Sequence, residues 1–176
     1  MKSKASSETA LAVRRGIEPW RDPEWQRLWL SLQGAQWRSL AIVPAGEGGP
    51  PDFPLRIAVT LARTGMVHLG SPIQVADAST VPLASLASFT EEVRRCVDAG
   101  DRILLALGPI TNSPISVSIA QASDAAVLCV LLERMTTAQA KKTVGEIGQS
   151  RFVGSVILRD DDLGAAEVTL PTPSKP

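Results

Sequence analysis

The stretch Ser39-Leu-Ala-Ile-Val43, running into Pro44-Ala-Gly-Glu-Gly-Gly-Pro-Pro51, decides the fold. Leu40 to Val43 are apolar in unbroken succession, without the alternation of a half-solvated strand, so they read as a short strand buried on both faces. The glycines and prolines that follow end it in a loop. Beyond the loop, Leu55, Ala58, Val59 and Ala62 recur at helical spacing over 54–64, and Gly65 reads as the stop. Strand, Gly-rich loop and helix in that order make the first unit of a parallel α/β sheet.

The same alternation continues downstream. Residues 73–76 read as a second strand, with 67–69 competing for that role, and 83–99 as a helix ended by Gly100. Arg102-Ile-Leu-Leu-Ala-Leu107 is a third strand closed by Gly108-Pro109, and 115–122 is a short helix. A fourth strand over 125–132, a helix over 137–149 and a fifth strand over 152–158 complete the series. Upstream, Trp25, Leu28, Trp29 and Leu32 form one apolar stripe on a helix over 23–33, with Asp22 placed to cap it and Pro23 at its first position. Continuous apolar strands separated by helices predict an α/β three-layer sandwich with a mainly parallel sheet of about five strands. The domain is expected to span 19–162, with its first helix at 22–33. Residues 1–18 read as a flexible leader and 163–176, ending Pro171-Thr-Pro-Ser-Lys-Pro176, as a flexible tail.

Composition bounds the function classes. The 176 residues are 44% hydrophobic and 20% charged, which suits one domain with a sizeable core. Lys+Arg and Asp+Glu are 18 each, and this balance argues against general binding to nucleic acid or anionic lipid. The longest apolar runs are strand-sized, and Met1 to Arg15 shows no apolar signal segment, so no membrane insertion is expected and the chain reads as cytoplasmic. Cys96 and Cys129 lie in apolar patterns without metal-ligand spacing and read as reduced, buried thiols. His68 is the only histidine and has no catalytic companion pattern; Asp160-Asp-Asp162 reads as a solvated turn. Two absences stand out: there is no tyrosine, and none of the five lysines lies between Lys4 and Lys141.

In an open α/β sheet, ligands bind beyond the carboxyl ends of the strands, which directs attention to the loop after the first strand. Ala45-Gly-Glu-Gly48 in that loop, Ile57-Ala-Val-Thr-Leu-Ala-Arg-Thr-Gly65 after it, Asp101-Arg-Ile-Leu-Leu-Ala-Leu-Gly-Pro109, Ala122-Ser-Asp-Ala-Ala-Val-Leu-Cys-Val-Leu-Leu132, Thr136-Thr137 and Phe152-Val-Gly-Ser-Val-Ile-Leu158 follow one another in a telling order. Together, over about 19–161, they resemble the tyrosine autokinases of bacterial polysaccharide biosynthesis, a branch of the ParA/MinD-like P-loop ATPases. The resemblance implies a P-loop NTPase-like fold and a vestigial nucleotide loop at Gly46, Glu47, Gly48, Gly49 and Pro50, with Asp77 the one survivor of the metal-handling carboxylates.

The departures from that pattern point away from catalysis. A P-loop surrounds phosphates with backbone N–H groups and a lysine ammonium, and its Ser/Thr hydroxyl holds Mg²⁺. Here Gly49, Pro50 and Pro51 stand at the lysine and Ser/Thr positions, and each proline removes a donor. Ala106 stands where the family carries the Mg²⁺-organising aspartate, and the second strand ends Ala76-Asp77-Ala78 rather than Asp-x-Asp. The chain is therefore read as a pseudo-ATPase with no catalytic residues and no metal ligands, and neither ATP nor Mg²⁺ is an expected cofactor. Without tyrosine, self-phosphorylation on tyrosine is excluded. Taken alone, the loop is an ordinary strand-to-helix connector and Asp77 an ordinary cap or turn residue.

In the resembled family, the helix before the first strand carries Glu-x-x-Arg-x-x-Arg and pairs with a neighbouring subunit. Glu24 and Arg27 match it, whereas Leu30 replaces the second arginine. All four tryptophans, Trp20, Trp25, Trp29 and Trp37, fall within this segment. Some must pack on the core; the rest would form an apolar patch, so Glu24, Arg27, Trp25 and Trp29 are the expected interface. The resemblance implies a non-catalytic regulator or scaffold of exopolysaccharide synthesis and export. Its partner would be a chain-length-regulating membrane protein or another component of that machinery, with a second copy of the chain as the other partner to expect and peripheral placement at the inner membrane. The competing expectations are a divergent ATPase using Asp77 and Arg56, or a ParA/MinD-type relative serving cellulose synthesis or another assembly.

Overall fold

A computed structural model describes residues 18–160. The expected leader, except Glu18, and the expected tail lie outside the described residues, as do Asp161 and Asp162. Five helices and five strands alternate: α1 (Pro23–Gln33), β1 (Ser39–Pro44), α2 (Phe53–Leu69), β2 (Gln74–Asp77), α3 (Leu86–Asp98), β3 (Ile103–Ala106), α4 (Pro114–Ala122), β4 (Ala125–Leu131), α5 (Thr137–Ile147) and β5 (Phe152–Leu158). The strands form one sheet in the order β2-β3-β1-β4-β5, with every pair parallel. This is the α/β three-layer sandwich of the P-loop NTPase-like kind.

The strand order explains the layers. Parallel crossovers are right-handed, so connections running in opposite directions along the sheet put their helices on opposite faces. Only β1 to β2 runs towards the β2 edge, and its helix α2 lies on one face. There Ile57, Ala58 and Leu61 pack on Leu40, Ile42, Leu104, Val127 and Cys129. The other three connections run the other way. Their helices cover the opposite face, where Phe89 and Val93 of α3, Ile119 and Ala120 of α4 and Ile147 of α5 meet Ala41, Val43, Leu105 and Ala126. Adjacent β1 residues thus enter different cores, and all six positions of the strand are buried.

Helix α1 is added to the α2 face. Asp22 caps it, accepting a hydrogen bond from the Glu24 backbone at 2.8 Å, with Pro23 in the first turn, as expected. Trp25, Trp29 and Leu32 are buried in the same core as α2. Trp37 closes the segment: its ring N–H donates to the Leu32 carbonyl at 2.9 Å, its ring meets that of Trp29 edge-on at 5.8 Å, and the Arg102 guanidinium lies 5.1 Å from its centroid. The expectation that Trp25 and Trp29 form a contact patch is corrected here. Trp29 is 0% and Trp25 8% exposed, because α2 alone leaves part of its face for another element to cover.

Gly65 does not stop α2, which continues for another turn to Leu69; Gly70, in the left-handed conformation, ends it. Gly65 is there for contact. A Cβ on it would lie 2.4 Å from Ile73 Cδ1 and 2.5 Å from Trp29 Cη2, so only glycine lets α1 approach. Residues 67–69 are accordingly helix, and the second strand is Gln74–Asp77. The helix expected over 83–99 divides into a 3-10 turn, Leu83–Ser85, and α3.

One polar clamp fixes β1 against β4. The Asp124 carboxylate accepts from the backbone N–H groups of Arg38 and Ser39 at 2.9 and 2.8 Å, and the Asp124 N–H donates to the Ser39 hydroxyl at 3.0 Å. Burial opposes its charge, but these hydrogen bonds outweigh it and hold the carboxyl below its usual value.

Candidate functional site

The strand order reverses at β1, whose connection departs towards β2 while that of neighbouring β4 departs towards β5. The crevice of an open parallel sheet lies at such a point, beyond the carboxyl ends of the strands. The loop singled out in the sequence, 45–52, therefore sits where a ligand would be sought, between the end of β1 and the start of α2.

Its base is tied to β4 and α5. The Ala45 N–H donates to the Cys129 carbonyl at 2.8 Å, and the buried Thr143 hydroxyl donates to the Ala45 carbonyl at 2.9 Å. Burial raises the Cys129 thiol, leaving it protonated, so no nucleophile is offered from beneath the loop. Gly46 is buried against Gln139: a Cβ there would fall 2.6 Å from Gln139 Cδ and 2.8 Å from its Cβ. Gly48 has φ 109°, and a Cβ on it would meet the Arg134 carbonyl oxygen at 2.6 Å. Gly49 lies against Met135, Phe53 and Leu131. The glycines thus serve close approach by the β4–α5 turn and the first turn of α5, which pack on the loop where a phosphate cradle would need open space.

Gln139 is the residue that the sequence reading missed. It completes a capping box at the start of α5: its N–H donates to the Thr136 hydroxyl at 3.2 Å, and its side-chain oxygen accepts from the Thr136 N–H at 2.8 Å. Thr136-Thr-Ala-Gln139 has the Thr-x-x-Gln spacing of that motif, so the cap was legible, although its packing on Gly46 was not.

The cations near the loop are already engaged. Arg56, one turn inside α2, pairs with Asp52 at 2.6 Å, and Arg134 pairs with Asp160 at 2.9 Å. Asp52 does not cap α2 with its side chain. Pro50 accepts the Phe53 N–H at 3.0 Å through its carbonyl, which makes it a turn residue of the helix entry. Glu47 is exposed at the tip.

Asp77 is not brought to this loop. β3 stands between β2 and β1, which puts the end of β2 about 10 Å from β1 at ordinary strand spacing. Its carboxylate accepts from the Ser79 N–H at 3.0 Å and the Ser79 hydroxyl at 2.6 Å, an Asx turn. Ala106 is paired with Asp77 in register. Among the described residues no three His, Cys, Asp or Glu side chains are grouped to hold a metal ion, and no helix is long and apolar enough to cross a membrane.

Of the expected interface set, Glu24 and Arg27 are exposed and pair with each other at 2.9 Å, with Leu30 exposed beside them. Trp25 and Trp29 face inward from the same helix, so the structure separates the four residues into a solvent face and a core face. No family model, curated protein or solved structure matches the chain.

Proposed function

We propose that this chain is a catalytically inactive P-loop NTPase-like domain that works by binding another protein, as a regulator or scaffold of bacterial exopolysaccharide synthesis and export. The observation that carries the inactive half of this reading is the loop at the sheet's switch point. It has Gly49-Pro50-Pro51 in place of lysine and hydroxyl residues, and Gln139 and the Arg134 carbonyl are packed against its glycines. Phosphoryl transfer depends on a positioned cation, a metal and their carboxylate, each worth several kcal/mol of transition-state stabilisation. Arg56, engaged by Asp52, and Asp77, closed into its own turn two strands away, do not replace them.

The binding half rests on the resemblance to the autokinases, which dock on the cytoplasmic side of a chain-length-regulating membrane protein. Glu24, Arg27 and Leu30 on the solvent face of α1 are the side chains that would meet such a partner or a second copy. Two measurements test the reading. Calorimetry with Mg-ATP is expected to be silent at millimolar nucleotide; measurable binding with turnover would replace the reading by a divergent ATPase. Pull-down against the cytoplasmic part of the chain-length regulator is expected to retain the chain, and retention is expected to fall when Arg27 and Leu30 are both changed to Glu. Absence of association at micromolar concentration would sink the polysaccharide assignment.

A further inference from the structure

The two edges of the sheet are finished differently. β2 has four residues, exposes Gln74 and Asp77, and ends in the Asx turn of Asp77. β5 has seven, Phe-Val-Gly-Ser-Val-Ile-Leu, with no charge and no proline, and among the described residues nothing pairs with its outer side. Apolar edges of this length are normally shortened, charged or covered, because their unpaired N–H and C=O groups accept another strand. The side on which these groups lie follows from one bond. The Leu158 carbonyl accepts the Leu132 N–H at 2.8 Å and so points towards β4. Backbone groups alternate sides along a strand, so the N–H and C=O groups of Ser155 and Ile157 point outward. Val156 and Leu158 are buried in the α2 core, whereas Val153 and Ile157, two residues either side of Ser155, are 42% and 61% exposed.

We propose that a second copy of this chain pairs with this edge, the two β5 strands running antiparallel about a two-fold axis near Ser155 and joining both sheets into one. Three observations select a second copy as the occupant. The outward groups are self-complementary: facing residues of an antiparallel pair exchange both hydrogen bonds, so Ser155 and its symmetry mate satisfy each other. The axis also sets Val153 of each copy beside Ile157 of the other, so the two exposed apolar side chains of the strand cover one another twice over. No like charges meet within the paired span. β5 itself is uncharged, Lys+Arg and Asp+Glu are 18 each in the whole chain, and Arg151, just before the strand, is drawn inward to the Ser123 carbonyl at 3.1 Å. A foreign strand would be selected by charges or side-chain pockets along the edge, and β5 supplies no charge to select it. Seven paired residues make a seam of about 23 Å, smaller than a permanent dimer uses, so the contact is a reversible one in the micromolar range. It is separate from the solvent face of α1 and does not depend on the polysaccharide assignment.

Sedimentation and amide exchange on the full chain test this together. The mass is expected to rise from 18.7 kDa to twice that value across the micromolar range. The Ser155 and Ile157 N–H groups should become protected from exchange over the same range. Ile157→Lys puts a charge into the seam and should sediment at the single-chain mass throughout, with unchanged circular dichroism because the side chain it replaces is largely exposed. If that variant fails to fold, Val153→Lys places the same charge on the other side of the axis and carries the same expectation. A single-chain mass at every concentration would overturn the proposal, as would a dimer in which the Ser155 and Ile157 N–H groups exchange as freely as in the separated chain. A dimer abolished by changing Arg27 and Leu30 to Glu, yet untouched by Ile157→Lys, would assign the contact to α1 and refute the pairing of β5.

Discussion

Changing Gly65 to alanine sets two effects of opposite sign against each other. In the interior of a helix the exchange ordinarily stabilises by about 1 kcal/mol, because alanine loses less conformational freedom. At this position the added Cβ would stand 2.4 Å from Ile73 Cδ1 and 2.5 and 2.6 Å from Trp29 Cη2 and Cζ2, about 1 Å inside ordinary contact. The isoleucine end can turn aside. The indole cannot, since its ring is buried edge-on to Trp37 at 5.8 Å. Overpacking of this kind costs about 1–3 kcal/mol. The expected net result is a loss of up to about 2 kcal/mol, read as a fall of up to about 8 °C in the thermal midpoint by far-ultraviolet circular dichroism. The second half of the test reverses the sign. In a Trp29→Leu background the smaller side chain vacates the space, and Gly65→Ala should then stabilise by the helix term alone. If alanine stabilises the unaltered chain as much as the Trp29→Leu chain, α1 does not pack on α2 at Gly65, and the assignment of Trp29 to the core fails.

Two other perturbations follow from the same contacts. Asp124→Ala removes the acceptor for the Arg38 and Ser39 N–H groups and should cost about 1–2 kcal/mol in urea unfolding near neutral pH. Because the folded carboxyl lies below its unfolded value, that contribution is present above the unfolded value and lost as pH falls through the folded one. The gap between the two proteins should therefore narrow below about pH 4, and a pH-independent gap would refute the clamp. Gly48→Ala combines a left-handed φ with a Cβ aimed at the Arg134 carbonyl, and should lower stability by about 1–3 kcal/mol. An unchanged thermal midpoint would show that the β4–α5 turn does not pack on this loop.

The unbroken apolar runs at 40–43, 103–107 and 125–132 were enough to read the class of the fold and most element bounds, because burial on both faces of a parallel strand leaves a mark on every residue; 152–158, exposed on one face, was carried by its place in the alternation. The cap at Asp22 was equally legible, being a local exchange between a side chain and a backbone two residues away. Gly65 was misread for the complementary reason. Locally, a glycine at the end of an apolar stripe looks like a stop, and the indole that requires it comes from 36 positions earlier. The tryptophans were harder still: concentration in one short segment is equally compatible with a patch and a core, and only the position of α1 on α2 tells them apart.

By itself, then, the amino-acid sequence determined what this chain lacks and how its elements alternate. The missing loop lysine, the alanine at 106 and the absence of tyrosine are facts of composition and position that no arrangement in space can change. Which groups meet was decided by the tertiary structure alone. Gln139 closes over Gly46, Arg134 meets Gly48, and β3 stands between Asp77 and the loop. Each depends on the order β2-β3-β1-β4-β5, and that order follows from contacts between residues distant in the chain, which local periodicity does not record.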